Sequence, residues 1–132
     1  MMSATQDWEL QAKADPRLVT YQLRIKLSRA QTITVGRLGR FDFPAGLYLY
    51  TGSAKRNMVA RVRRHLATEK KLRWHIDFLL GNNAATVSAV TLSADPECNC
   101  NQQVDGSVIV SGFGASDCRS RCGSHLKYLG SE

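Results

Sequence analysis

One change of hydrophobic period, just after Gly52, restricts the fold of this chain more than any other feature. Residues 20–27, TYQLRIKL, alternate strictly, with Tyr21, Leu23, Ile25 and Leu27 on one side and Thr20, Gln22, Arg24 and Lys26 on the other. That is the period of a half-buried strand. Alternation resumes in TITVGRLGRFDFPAGLYLYTGS, broken by glycine and proline, and predicts a short hairpin from about Thr32 followed by a strand through Tyr50. Beyond Gly52 the spacing lengthens. Met58, Val62 and Leu66, with Val59 alongside, recur every three or four residues with arginines between them, the pattern of an amphipathic helix with a basic outer face.

The remainder of the chain adds fewer elements. LRWHIDFLLG pairs Trp74 with Phe78 at i, i+4 and ends on Gly81, which reads as a second helix, with a buried strand as the alternative. ATVSAVTLS, residues 85–93, reads as a strand. ADPECNCNQQV then offers Asp95 as an N-cap, Pro96 as the first helical residue and Glu97 near the start of a short helix. The rest is a turn, a short apolar run and a loop rich in small residues and cysteine. The order β-β-β-α-α-β-α predicts an α+β fold: a small mixed, mainly antiparallel sheet flanked by helices, with an extra short hairpin. A length of 132 residues suits one cored domain, residues 19–132, behind a mobile tail at 1–18.

Charge distribution says more than charge total. Residues 53–75 hold Lys55, Arg56, Arg61, Arg63, Arg64, Lys70, Lys71 and Arg73 against Glu69 alone, eight minus one, which equals the net +7 of the whole chain. Clustered cations in a neutral body suit a polyanion, because phosphates release counterions to them, although a solvated helix face would look the same. No apolar run approaches the roughly 20 residues of a membrane span, and the N-terminus lacks a basic-then-apolar leader. A cytoplasmic protein without a membrane partner is therefore expected. Its four cysteines then point to free thiols or a metal site rather than disulfides.

GLYLYTGSAKRN, residues 46–57, carries two overlapping aromatic-glycine signatures, Gly46-Leu47-Tyr48 and Tyr50-Thr51-Gly52. Together with ARVRRHL, WHIDFLL, SDC and SHL, YLYTGSA resembles the GIY-YIG nuclease superfamily over about residues 19–129. That superfamily includes the incision subunit of bacterial nucleotide excision repair, homing endonucleases and some restriction enzymes. The closer resemblance is to its small Uri-type branch, a domain also found attached to archaeal base-excision glycosylases. The resemblance implies two tyrosines on neighbouring antiparallel strands. Tyr48 and Tyr50 lie two apart on one strand and cannot fill both places. Val19-Thr20-Tyr21 is therefore the first half, Tyr50-Thr51-Gly52 the second, and Gly46-Leu47-Tyr48 a coincidental spelling. The family spelling is altered at Val19, where glycine is expected, and at Thr51.

The resemblance implies a metal-dependent DNA endonuclease acting on single-stranded or structured DNA in a repair setting, with a repair protein as a further partner. It places Arg61 as the phosphate clamp, His65 one turn later as a water-positioning or proton-relaying group, and Glu97 as the ligand of one Mg²⁺ or Mn²⁺. Asp77 is the competing carboxylate. Phosphodiester hydrolysis needs an activated water and neutralised phosphoryl charge, and a hard cation suits a carboxylate oxygen. Tyr21 is expected as base and Tyr50 as its partner, with the roles open to reversal, provided the metal and Arg61 lower the phenol pKa. Taken singly, Tyr21 is a core aromatic, Arg61 one charge on a helix face and Glu97 a residue favoured by the helix dipole. Lys55, Arg56, Arg63, Arg64, Lys70, Lys71 and Arg73 would contact DNA.

Cys98, Cys118, Cys122 and His125 could hold structural zinc, the less favoured alternative to reduced thiols, since Cys98 and Cys100 point apart on a helix. Ser116, Asp117, Ser124 and His125 are expected to form a polar wall near the site. The alternatives to a nuclease are a DNA-binding accessory module without cleavage and a zinc-stabilised interaction domain.

Overall fold

Strand β1 (Thr20–Leu27) is the hub of the fold, because both of its edges are paired. The computed structural model describes residues 4–54, 56–67, 71–114 and 124–131, and the side chains from residue 8 onward. In chain order, α1 (Ala4–Ala14) precedes β1. Strands β2 (Gln31–Val35) and β3 (Gly39–Phe43) follow, then β4 (Gly46–Ser53), α2 (Met58–Leu66), α3 (His75–Leu80), β5 (Ala85–Ser93), α4 (Glu97–Gln102) and β6 (Leu126–Gly130). The main sheet has the order β5-β1-β4-β6 with antiparallel neighbours throughout, and β2 and β3 form the inserted hairpin. This is the expected small α+β architecture. No helix among the described residues is long and apolar enough to cross a membrane.

Alternation along β1 sends Tyr21, Leu23, Ile25 and Leu27 into one core, where the hairpin adds Ile33, Val35 and Phe43, α2 adds Met58 and Val62, and α3 adds Ile76 and Leu79. Segment 72–81, open between helix and strand from its pattern, is helical. The Asp77 carboxylate accepts the Trp74 and Arg73 backbone N–H groups at 2.8 and 2.9 Å, satisfying donors at the start of α3. Helix α4 starts one residue later than expected: Pro96 is its N-cap and Glu97 its first residue. Asp95 instead accepts the Thr20 hydroxyl on its carbonyl, which ties the approach to α4 to the first residue of β1.

Two elements depart from expectation. Residues 4–14, expected within a mobile tail, form α1, which packs on β5 and against α2. Trp8 is only 1% exposed, Ala12 packs on the core, and Glu9 receives a two-pronged hydrogen bond from Arg63 at 2.8 and 2.9 Å. One large side chain holds this helix while Leu10 points into solvent, so its amphipathic signal is weak. The other is β6, which lies in a segment read as loop. It borders β4, and its Tyr128 exchanges two backbone hydrogen bonds with Ser107 at 2.7 and 2.9 Å.

Candidate active site

Tyr21 of β1 stands directly opposite Gly52 of β4. A Cβ at Gly52 would overlap the Tyr21 ring and hydroxyl, so the glycine two residues after Tyr50 is the space that Tyr21 occupies. Tyr50 shares that face of β4, with its ring centroid 6.3 Å from that of Tyr21. From α2, His65 closes the group. Its Nε2 lies 2.7 Å from the Tyr21 hydroxyl, and its ring centre is 5.3 Å from Tyr21 and 6.2 Å from Tyr50. On the far side Phe113 lies edge-on to Tyr50 at 6.2 Å, and the Gly114 N–H donates to His75 Nδ1 at 2.9 Å. Tyr48, by contrast, is fully buried against Phe43 and Tyr128 and donates to the Pro44 carbonyl at 2.6 Å.

Arg61 lies one helical turn before His65 and is exposed. Its guanidinium donates to the Ser53 carbonyl at 3.2 Å and sits 5.0 Å from the centre of the Trp74 ring, whose face also carries Arg64 at 4.3 Å. A cation held over an indole keeps its charge while losing side-chain freedom. Arg64 is engaged elsewhere as well: it grips both oxygens of Asp77 at 2.9 Å and donates to the Lys71 carbonyl at 2.7 Å. Burial pushes the Asp77 pKa up, but the hydrogen bonds from Arg64, Trp74 and Arg73 outweigh it and hold the carboxyl below its ordinary value. Asp77 is thus a fully buried helix cap and ion-pair partner, with both oxygens engaged.

Glu97, in the first turn of α4, keeps a side chain 25% exposed, with Oε2 against Nδ1 of the buried His125. The His125 backbone spans two elements, donating its N–H to the Phe113 carbonyl at 2.8 Å and accepting the Thr51 N–H at 3.0 Å. Asn101 donates to the Ser124 carbonyl at 2.8 Å, fastening α4 to the same segment. Of the expected polar wall, His125 faces Glu97 while Ser124 turns back on Leu126. Ser116, Asp117, Cys118 and Cys122 lie outside the described residues, as do Lys55 and Lys70.

A family model for a domain of unknown function, DUF123, matches residues 20–132. The chain belongs to the DUF123 family. No curated protein and no solved structure matches it. Helix α1 lies before the matched span, whereas every candidate site residue of this DUF123 domain lies within it.

The electrostatics of the DUF123 domain set a condition on its tyrosines. Burial is the largest cause pushing Tyr21 above the ordinary phenol pKa; Tyr50, Glu97 and Asp77 act the same way, and Arg61 opposes them. Burial likewise leads for Tyr50, with Glu97 and Asp77 adding to it, and Arg61 and a hydrogen bond to Tyr21 opposing. Arg61 does pull in the expected direction, but desolvation wins, and both groups are neutral phenols at neutral pH. The basic segment also divides. Arg63 is paired with Glu9 and Arg64 with Asp77, while Arg56, Lys71 and Arg73 are exposed. Trp74 was legible only as a packing residue of α3; the arginines at 61 and 64, one helical turn apart and facing it, were the available signal of its second role.

Proposed function

We propose that this DUF123 domain is a GIY-YIG-type DNA endonuclease that uses one Mg²⁺ or Mn²⁺ and acts on single-stranded or structured DNA in a repair setting. The observation that carries the reading is the placement of Tyr21 in the space left by Gly52, hydrogen-bonded to His65 and beside Tyr50. Arg61 and Glu97 both lie within electrostatic reach of the two phenols. A core aromatic pair would not need a histidine and two charged groups of opposite sign around its hydroxyls.

Glu97 fits a hard cation: it is a carboxylate, part-exposed, with one oxygen facing His125. A Mg²⁺ or Mn²⁺ ion held by Glu97 would supply charge neutralisation at the phosphoryl group and at the departing oxygen. Arg61, steadied by Trp74 and the Ser53 carbonyl, holds the non-bridging phosphate oxygens in its planar fork. Tyr21 need not ionise beforehand. As it accepts a proton from the attacking water it passes its own to His65 Nε2, so the buried phenol stays neutral throughout. Tyr50 positions Tyr21 and fills the wall behind it.

Cleavage of single-stranded, nicked and branched DNA with Mg²⁺ or Mn²⁺ tests the reading, comparing the parent with Glu97→Ala and Arg61→Ala. Metal-dependent products lost in both variants are expected. Products that survive Glu97→Ala would sink the proposed ion site. A second reading, a DNA-binding accessory module without cleavage, is favoured by the depth of burial of Tyr21 and His65, each 2% exposed; binding with no products on any substrate or metal would select it.

A further inference from the structure

Beside the tyrosine group lies a second constellation, of which the proposed cleavage chemistry uses Glu97 alone. His125 is 2% exposed, and its two ring nitrogens face different groups: Nδ1 meets Glu97 Oε2, and Nε2 lies 3.9 Å from Cys98 Sγ. Cys98 is half-buried in the first turn of α4. Cys100 takes no part, being buried with its sulfur 3.8 Å from the Asp95 carbonyl.

The sequence thiol, imidazole, carboxylate is the order in which a thiophilic ion is bound and supported. Histidine ligands commonly give the ring nitrogen that does not bind metal to a carboxylate, which fixes the tautomer and leaves the other lone pair aimed at the ion. Zinc bound tetrahedrally, with Zn–S about 2.3 Å and Zn–N about 2.0 Å, holds sulfur and nitrogen about 3.5 Å apart. The observed 3.9 Å differs by an amount that a small side-chain rotation closes. We propose that Cys98 and His125 form a binding site for a thiophilic divalent cation of the zinc type, with Glu97 as the partner that orients His125. No group of three such ligands converges among the described residues, and this pair supplies two positions. The site shares Glu97 with the nuclease reading, but its test does not depend on that reading.

The test is optical and independent of DNA. The full chain, reduced with a phosphine, is titrated with Co²⁺, whose thiolate complexes absorb intensely in the near ultraviolet, and Zn²⁺ is then added to displace it. The parent is expected to develop the charge-transfer band and lose it to zinc. Cys98→Ser should abolish the band, and His125→Gln should weaken Co²⁺ binding at least about tenfold. Glu97→Gln should keep the band but weaken binding about 10-fold, as loss of a supporting partner does. Thermal melts of each variant check that the buried His125 substitution still folds, and the conservative Cys98→Ser carries the test if it does not. Absence of the band in the parent overturns the proposal. So does a band that survives Cys98→Ser and disappears in Cys118→Ser or Cys122→Ser.

Discussion

The two ends of β4 use the same letters for different purposes. At one end Gly46 and Tyr48, at the other Tyr50 and Gly52, place a glycine and a tyrosine two residues apart on one face of the strand, and in both cases a Cβ on the glycine would strike a tyrosine. Gly46 accommodates Tyr128 and the Gly130 carbonyl, whereas Gly52 accommodates Tyr21. The difference lies in what the hydroxyls meet. Tyr48 donates to the backbone oxygen of Pro44, and Tyr128 to that of Ala45, two acceptors that cannot take a proton away. Tyr21 meets His65, which can, and the cations of α2 begin only a few residues beyond Ser53. An aromatic-glycine pair is thus a packing device first, and its surroundings determine whether it can do chemistry.

The sharpest way to break the comparison is to remove one hydroxyl at each end. Tyr21→Phe should lower cleavage by about 10²- to 10⁴-fold, measured with substrate in excess. Tyr48→Phe should leave cleavage at the parental rate and cost about 1 kcal/mol of stability by leaving the Pro44 carbonyl without its donor. Equal losses of activity in both variants would erase the distinction between the two ends. Next in size are the glycines. Gly46→Ala and Gly52→Ala should each cost about 2–3 kcal/mol in urea unfolding, Gly46→Ala being the harder to relieve because a backbone oxygen and a φ of +140° are involved.

Alkaline pH tests burial, which the two ends share, since burial raises the pKa of Tyr48 as well. Burial raises the pKa of Tyr21 and Tyr50 in the folded chain, while the unfolded chain ionises near pH 10. Their contribution to stability is therefore complete below about pH 10 and is lost as the pH rises through the folded values. Unfolding curves at increasing pH should show Tyr21→Phe losing less stability than the parent above that point; parallel losses would contradict the buried-phenol account. A smaller effect is expected at Trp74. Trp74→Leu releases Arg61 from a cation–π contact of about 0.5–1 kcal/mol, so DNA affinity should fall a few-fold while cleavage at saturation changes little. Smallest of all is the salt dependence. Replacing the exposed Arg56 and Arg73 by glutamine should flatten the slope of log affinity against log salt by about 0.7 per lost phosphate contact on single strands, and by more than replacing Arg63 and Arg64, which are engaged with Glu9 and Asp77.

Much of this was legible without coordinates. Strict alternation places Tyr21, Leu23, Ile25 and Leu27 on one face, and the longer period after Gly52 requires a helix, because both follow from where successive side chains point along a regular backbone. The argument that Tyr48 and Tyr50 cannot belong to different strands needs only the same geometry, and the register of Tyr21 on Gly52 agrees with it. Helix α1 and strand β6 escaped because each depends on contacts distant in sequence: Trp8 on the core, and Tyr128 on Tyr48 and Ser107.

Local pattern determined strands β1 to β5 and helices α2 and α4, and the family resemblance supplied the candidate residues. Only the tertiary structure decided which charges were engaged. Arg64 and Asp77, Arg63 and Glu9, and Glu97 and His125 are 13, 54 and 28 positions apart in the chain. A side chain's spacing says which face it occupies, but an ion pair or a buried phenol is defined by what the rest of the fold brings to that face and by the water it excludes.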